Sequence, residues 1–583
     1  MTEQQEILNA LEEERRLSFR PLRFRIERVD RDHEIFKVVV NPEDDKSSVD
    51  ESLEGLTANW TAPHGGRANI LYVIADENLI SLRFATFPPP PPGGLISVQV
   101  PDFLGQLLSL WQNDRIAARC LQWLEEVQQH NDPINNTLTA DGFEKLREGQ
   151  RDAFRLRSYP RAFLWGPPGT GKTYTLGCML AQHLVQFPRN RILLLSTTNT
   201  AVDQAVVSVD EALDELADAG VDTTHARAGC KRIGLHFIAR HYKDKGREHL
   251  LPINDPDLIR RLIDLEASRP DPGNDQAFLQ WRNAIDSLRE EIRQAARQDL
   301  LSSRLVAMTT TRAVFDFELL RTVEYDFVAF DEASQVGLAH ALMLAPLAKR
   351  SLFVGDHKQL PPIVQADLAA AEQWLGQSMF VYMQDGDPSM CLLDEQSRMA
   401  EPICHIVGRV FYGGRLKVAG DALSDPAWLQ QRRLENVAGL GDRAMVIREI
   451  QQQGIHANPG WYRLDSMHFI CQTVRTLVRS VPPEDILIVT PFRAQRFRIR
   501  RRLQELGLGQ VAVTTVHRAQ GSERHTVLFD PVRGDTPFLN SDDGFRIINV
   551  AISRAKARLV ITLSRGDRQN PILDFIQMLA DGI

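Results

Sequence analysis

Gly166-Pro167-Pro168-Gly169-Thr170-Gly171-Lys172-Thr173 follows the apolar run Phe163-Leu164-Trp165 and leads into a helical pattern. This is Gly-x4-Gly-Lys-Thr in its strand-to-helix setting. Glycines there let successive backbone N–H groups wrap an anion, and the start of the helix adds a favourable field. A lysine ending such a loop reaches β- and γ-phosphate oxygens, while the threonine hydroxyl ligates Mg2+. A glycine-rich turn that merely joins a strand to a helix requires neither Lys172 nor Thr173. The pattern therefore predicts ATP and Mg2+ as ligands.

Two further loops follow apolar runs in the same half of the chain. Phe327-Val328-Ala329-Phe330 ends in Asp331-Glu332-Ala333-Ser334-Gln335. Adjacent residues at a strand end point apart, so the two carboxylates divide two tasks. Asp331 is expected to hold Mg2+, and Glu332 to orient and deprotonate an attacking water. Alone, the pair also fits a solvated acidic turn; beside a phosphate loop it reads as hydrolytic machinery. In Val354-Gly355-Asp356-His357-Lys358-Gln359-Leu360-Pro361-Pro362, Gln359 is placed to touch a γ-phosphate and sense its loss. In isolation this is a polar loop stiffened by prolines.

The elements that must position these loops are legible as alternating patterns. Strands are predicted at 162–165, 191–196, 326–330 and 351–355, with helices at 172–186, 201–218 and 338–349. Such alternation predicts a parallel sheet covered on both faces. Residues 226–300 interrupt it as a polar helical insertion without strands. A second series has strands at 444–449, 485–490, 511–516, 525–529 and 558–563 and helices at 466–480, 493–506 and 546–557. Two sheets imply a cleft between them. Upstream, 4–19 places Ile7, Leu8, Leu11 and Leu17 at helical spacing, and 103–130 returns to that spacing. Between them 22–100 alternates, as in Leu22, Phe24, Ile26 and Ile80, Leu82, Phe84, around a polar stretch at 42–55 and a proline run at 88–92. The domains read as stalk helices at 1–21 and 103–131, a small β-domain at 22–102, a first α/β unit at 132–370 and a second at 371–583.

Bulk composition is compatible with this plan. A chain of 583 residues, 43% hydrophobic, buries more than one core. A net charge of −8 makes any polyanion partner depend on a local groove. The six cysteines are scattered, without a Cys-x-x-Cys pair for zinc or an iron–sulfur cluster, and read as reduced core residues. Residues 1–20 carry Glu and Arg throughout, and no apolar run approaches the ~18 residues of a membrane span. A soluble, cytoplasmic protein is expected, with a nuclear location left open.

The order and wording of these motifs resemble superfamily 1 helicases of subgroup B, the Upf-like or DNA2–NAM7-like group. The resemblance covers residues ~146–563. Ser196-Thr197-Thr198-Asn199-Thr200-Ala201-Val202-Asp203 is similar to motif Ia. Glu395-Gln396-Ser397-Arg398-Met399 is similar to motif IV, and Thr490-Pro491-Phe492-Arg493-Ala494-Gln495 to a nucleic-acid-contacting segment. Thr514-Thr515-Val516-His517 with Gln520-Gly521-Ser522-Glu523 resembles motif V, and Asn549-Val550-Ala551-Ile552-Ser553-Arg554-Ala555 motif VI. Leu146-Arg147-Glu148-Gly149-Gln150 resembles the upstream glutamine motif, whose amide reads the N6/N7 edge of adenine. The resemblance implies two tandem RecA-like P-loop units, with a barrel-like domain, helical stalk and helical insertion. It places Glu523 near the nucleotide and assigns Arg398 and Arg554 to the charge developing on the γ-phosphate. Here Ser397 stands where the family commonly has a base-stacking aromatic, and Ala400-Glu401-Pro402 replaces its usual His-Pro.

The family lays single-stranded DNA or RNA across both sheets through backbone phosphates. Thr198, Asn199, Thr310, Pro491, Arg493, Thr514, Thr515 and His517 fit that track. The run Arg493, Arg496, Arg498, Arg500, Arg501, Arg502 covers several helical faces, so it reads as solvated surface with Arg493 nearest the strand. Arg227, Lys231, Arg232, Arg240 and Lys243 form another basic stretch, with His236 and His241 at the surface. By position alone, 22–100 and 226–300 are candidates to grip a duplex junction. The implied activity is a monomeric, ATP-driven 5′-to-3′ motor. A rival is an ATP-controlled clamp that scarcely unwinds, which carries the same motifs. A ring-forming ATPase with its arginine in trans is disfavoured by the arginines in cis.

Overall fold

A computed structural model describes residues 2–582 apart from 33–34, 44–48, 50–52, 61–64, 75–77, 84–89, 135–138, 235–236, 238, 253–255, 272–273, 457–459 and 520. Phe84, His236, Gln520 and most of the polar stretch at 42–55 lie outside the described residues, as do Pro88 and Pro89 of the proline run.

Strands β1 (Leu22–Asp32), β2 (Ile35–Pro42), β3 (Thr57–Trp60), β4 (Gly66–Ile74), β5 (Leu79–Arg83) and β6 (Leu95–Gln99) close into a barrel of order β1-β2-β5-β4-β3-β6. Alternate residues fill it: Phe24 and Ile26, Phe36 and Val38, Ile80 and Leu82, Ile96 and Val98 are buried. Closure leaves no unpaired strand edge. A register shift between Ile70 and Tyr72 breaks the alternation. Such bulges re-aim side chains, and here Leu71 and Tyr72 turn outward onto Phe278.

The first stalk helix, Glu3–Ser18, begins at Thr2, whose hydroxyl accepts from the Gln5 N–H. The region 103–130 is two helices rather than one. Gly105–Trp111 stops, and Asn113 caps Asp114–Gln129 by accepting from the Arg115 and Ile116 N–H groups. A capping asparagine restarts the same periodicity, which made the break invisible to spacing. The Gln4 side chain donates to Trp111 O at 3.0 Å, so the first helix meets the second.

The large sheet contains β7 (Arg161–Trp165), β8 (Ile192–Ser196), β9 (Cys230–Arg232), β10 (Leu305–Thr309), β11 (Tyr325–Phe330), β12 (Ala348–Gly355) and β13 (Met390–Leu392), in the order β13-β7-β12-β11-β8-β10-β9 and all parallel. Three strands of this sheet go beyond the sequence pattern. β9 falls inside the supposedly strandless insertion, as a three-residue polar edge with no apolar run to betray it. β10 is an apolar run obscured by the preceding helix, and β13 extends the sheet beyond residue 371. The predicted helix at 338–349 ends earlier, giving way to β12 at Ala348. Helices Thr224–Ala228, Ala239–Asp244, Pro256–Ala267 and Asp275–Ser302 make the insertion. Its last helix docks on the barrel. Tyr72 Oη donates to Asp275 Oδ1 at 2.5 Å, Lys37 pairs with Asp275 at 3.1 Å, and Arg269 pairs with Glu54 at 2.9 Å.

Beyond it come the short pair β14 (Glu395–Gln396) and β15 (Lys417–Val418), then β16 (Met445–Glu449), the hairpin β17 (Ile455–His456) and β18 (Trp461–Tyr462), β19 (Ile486–Thr490), β20 (Ala512–Thr515), β21 (Arg524–Phe529) and β22 (Ala555–Leu563). The second large sheet has order β16-β22-β21-β19-β20, again parallel. The helix predicted at 546–557 spans Asp542–Ile552, because β22 begins at Ala555. One contiguous apolar cluster runs from Phe330 and Phe353 of the first sheet through Met399, Ile403 and Tyr412 to Val489 and Ile561 of the second. Each fully buried side chain of this size contributes roughly 1.5–3 kcal/mol. Parallel order puts every carboxyl end of a sheet on one side, which is why loops far apart in sequence meet.

Candidate active site

The phosphate loop is shaped by three glycines. Gly169 and Gly171 have φ of +77° and +78°, in the left-handed region that side chains resist. A Cβ on Gly166 would lie 2.2 Å from Lys172 Cγ, and one on Gly169 would lie 2.5 Å from Arg398 Cβ. Pro167 O accepts the Thr170 hydroxyl at 2.8 Å, Pro168 continues the turn, and Lys172 Nζ donates to Gly166 O at 2.7 Å. Helix Lys172–Gln186 begins directly after Gly171. The cradle fits a phosphate chain.

Thr173 Oγ1 donates to Asp331 Oδ2 at 3.2 Å, so the two side chains expected at Mg2+ are neighbours. Burial and the adjacent Glu332 carboxylate push Asp331 up to about 7, against the opposing pull of Lys172. A bound cation stabilises the carboxylate form, so this donor pair fits Mg2+. Glu332 has φ +52°, ψ +38°. A left-handed backbone at a residue with a bulky side chain is a local strain.

Asp356 organises the third loop. Its Oδ1 accepts from Trp165 Nε1 at 3.0 Å and Lys358 N at 3.1 Å, and its Oδ2 from Gln359 Nε2 at 2.7 Å and Tyr412 Oη at 2.6 Å. Gln359 is buried, and its Oε1 accepts from Arg554 Nη2 at 2.9 Å. Arg554 also donates to Val550 O at 3.1 Å; burial, then Arg398, pull it down to about 10. Arg398, from the same unit as Arg554, reaches the same place and donates to Ser553 O at 3.4 Å. The N–H of Ser397 donates to Gly169 O at 3.0 Å, and the Arg398 guanidinium pairs with Glu523. Burial alone would raise the Glu523 carboxyl, but Arg398 and Lys556 hold it below the usual range. Ser397 O and Arg398 O are gripped by Arg432, which lies over the Trp428 ring at 4.1 Å. Lys172, Glu332, Gln359, Arg398 and Arg554 are thus brought together with Thr173 and Asp331.

Gln150 is buried beneath the loop. Its Oε1 accepts from Arg147 N at 3.0 Å and its Nε2 donates to Thr170 O at 3.1 Å. One N–H and one lone pair of the amide remain.

The proposed strand track is less uniform. Thr198 is exposed, and its hydroxyl caps helix Asn199–Asp218. Asn199 Oδ1 accepts from Arg232 Nη2 at 2.8 Å, which engages its carbonyl. Thr310 is buried, whereas Thr309 caps the following helix, so Thr310 does not face a strand. Pro491, Thr514 and Thr515 are half-buried, and Arg493 and His517 exposed, at the carboxyl ends of β19 and β20. Of the segment that includes Arg493, Thr490 and Gln495 are interior. Gln495 joins a fully buried cluster in which Arg463 pairs with Asp530 at 2.8 Å and Asp567 at 2.7 Å. Of the basic residues at 227–243, Arg227 pairs with Asp210 and Asp214, Lys231 donates to His249 O, Arg232 pairs with Asp203, and Arg240 with Asp244. Arg498 stacks on Tyr462 at 3.8 Å, and Arg501 and Arg502 pair with Glu505, leaving that run as surface.

Tyr412 and Asn549 were missed as site residues. Asn549 lies inside a quoted motif; Tyr412, in Phe411-Tyr412-Gly413, lies outside every motif, and spacing offers no signal for it. No described helix is long and apolar enough to cross a membrane.

Comparison with known proteins agrees with this arrangement. Two family models, each described as an AAA domain, match residues 150–365 and 375–565. An ATP-dependent helicase of Methanocaldococcus jannaschii is 23% identical over 555 residues, covering 85% of this chain and 80% of that one. The DNA replication ATP-dependent helicase/nuclease DNA2 of Xenopus laevis is 24% identical over 80% of this chain and 43% of its own length. The DNA-binding protein SMUBP-2 of Rattus norvegicus is 27% identical over 71% and 42%. The chain thus spans most of the archaeal relative and less than half of the other two. Among solved structures, the arterivirus nonstructural protein 10 helicase matches 91% of this chain and 77% of that one at 13% identity and a TM-score of 0.35. With both halves of the motif set assembled around one cleft and relatives of this kind along most of its length, the chain belongs to the superfamily 1 ATP-dependent helicases of the DNA2/NAM7-like group.

Proposed function

We propose that the chain hydrolyses ATP in the cleft between its two large sheets and uses the resulting closure to move along single-stranded nucleic acid, 5′ to 3′. One observation carries the reading: groups that follow the second sheet's helix, Arg554 above all, bond to the phosphate-sensing loop of the first, Gln359, at 2.9 Å. Hydrolysis in such a cleft is felt by both sheets at once.

In this reading Gly166 to Thr173 bind the phosphates and Gln150 the base, with Glu523 holding Arg398 in register. Thr173 and Asp331 hold Mg2+, which neutralises charge on the β- and γ-phosphate oxygens when bound. Glu332 takes the proton of the attacking water. Lys172, Arg398 and Arg554 stabilise charge on the transferred group, and Gln359 senses its departure. Thr198, Asn199, Pro491, Arg493, Thr514, Thr515 and His517 line the strand track. The moving parts are taken as 132–370 and 371–583, with β13 carried by the first. The barrel and the insertion, joined through Tyr72 and Asp275, travel as one arm beside the track.

Its relatives include a DNA-binding protein and a DNA replication helicase, which supports a nucleic-acid substrate. The test is ATP turnover with and without single-stranded DNA and RNA, beside opening of duplexes tailed at either end. Stimulation without opening would leave an ATP-controlled clamp.

A further inference from the structure

Tyr412 stands between the two halves of the proposed motor, on no motif, and completes a ring of hydrogen bonds. Its phenol donates to Asp356 Oδ2 at 2.6 Å and accepts from Asn549 Nδ2 at 2.8 Å. Asp356 Oδ2 also accepts from Gln359 Nε2, and Gln359 Oε1 from Arg554. Asn549 and Arg554 flank the end of the single helix Asp542–Ile552, so the path returns to where it began.

Donor and acceptor chemistry makes the ring directional. Asp356 accepts four hydrogen bonds, filling the sites of a carboxylate. A carboxylate only accepts, so the Gln359 amide must turn its nitrogen toward Asp356 and its oxygen toward Arg554, which only donates. The orientation of the sensor is therefore dictated from both ends. Asn549 commits both amide hydrogens, one to Tyr412 within its own unit and one across the cleft to Lys358 O at 2.8 Å. Its own carbonyl oxygen is buried without a partner among the described residues. Burial, then Asp356, raise the Tyr412 phenol well above its ordinary value, so it stays a donor throughout the working pH range.

We propose that Tyr412 is a positioning residue for ATP hydrolysis: by locking Asp356 to Asn549 it sets the Gln359 amide against Arg554 only when helix Asp542–Ile552 is docked on the loop 356–362. Among the described residues its hydrogen bonds go to Asp356 and Asn549, not to the phosphate loop or the proposed strand track, and it acts through Gln359. The inference rests on the roles proposed above for Gln359 and Arg554.

The test is a kinetic cycle. Tyr412→Phe keeps the aromatic side chain but removes the hydroxyl that closes the hydrogen-bonded ring; it should lower kcat for ATP about tenfold with KM for ATP changed less than twofold. Asn549→Ala opens the same ring from the other side without touching Tyr412 and should give the same pattern. In a Gln359→Ala background, Tyr412→Phe should lower kcat by less than twofold further, because the group it positions is gone. A kcat within twofold of the parent for Tyr412→Phe overturns the proposal. So does an equal loss in both backgrounds, the mark of a residue that only supports the fold. Turnover is read with and without single-stranded DNA, so a chain indifferent to the strand, which would overturn the motor reading, still reports on Tyr412.

Discussion

Arg554 Nη2 lies 2.9 Å from Gln359 Oε1, although the two residues belong to different sheets and stand 195 positions apart in the chain. In the function proposed above, this bond joins the loop that would face a γ-phosphate to the unit that would move when that phosphate leaves. Arg554→Lys should therefore not rescue Arg554→Ala. Lysine keeps the charge but lacks the planar fork that also holds Val550 O. Both variants are expected to lose about 10²-fold in kcat with smaller changes in KM, measured by steady-state phosphate release. A lysine variant with near-parental kcat would show that charge alone suffices.

Glu332→Gln should bind ATP almost normally and turn it over about 10²-fold more slowly, as expected for a lost general base. Lys172→Ala, by contrast, should weaken nucleotide binding as well. Nucleotide affinity by fluorescence titration, set beside turnover, separates the two. Normal turnover in Glu332→Gln would assign the water to another group.

Gln150 has one N–H and one lone pair beyond those engaged by Thr170 O and Arg147 N. Adenine offers N6–H as donor and N7 as acceptor, and guanine reverses the first of these. Gln150→Ala should raise KM for ATP more than for GTP. Equal rises would mean that Gln150 acts only by supporting the loop at Thr170.

Arg463 is fully buried between Asp530 and Asp567. Arg463→Met leaves two carboxylates in the interior without their cation and should destabilise the second unit by about 3–5 kcal/mol. A lowered midpoint in urea, followed by circular dichroism, checks this. An unchanged midpoint would show that Ser466, Gln495 and Thr562 suffice to hold Asp530.

Much of this arrangement was legible because it is local. The phosphate loop, the carboxylates after Phe330 and the motif-VI arginine each sit at a strand end within a short, characteristic string. The long helices 172–186 and 493–505 announced themselves by period. What stayed hidden depends on tertiary pairing. β9 is a strand only because β10 offers it an edge, and β13 only because β7 does. Thr310 resembled its half-buried neighbours until packing put it inside, and the capping role fell to Thr309. Tyr412 had no signal at all, since its partners lie 56 and 137 residues away.

The barrel's junction with the insertion rests on Tyr72, Phe278 and Asp275. Phe278→Ala should cost about 3–5 kcal/mol of local packing and free the barrel from helix Asp275–Ser302. Proteolysis within the insertion should then speed up while ATP turnover without nucleic acid stays near the parental value. Parental resistance to protease would show that Arg269–Glu54 and Tyr72–Asp275 hold the arm unaided.

Directional movement is tested most directly by strand displacement. A duplex with a 5′ single-stranded tail, incubated with ATP and Mg2+, should open. The same duplex carrying a 3′ tail, or none, should stay closed. Binding through phosphates further requires that single strands stimulate turnover with little sequence preference and that binding weaken steeply as salt rises. Thr515→Ala should reduce that stimulation more than basal hydrolysis. Opening of the 5′-tailed substrate alone is the predicted result; preferential opening of the 3′-tailed substrate would contradict it.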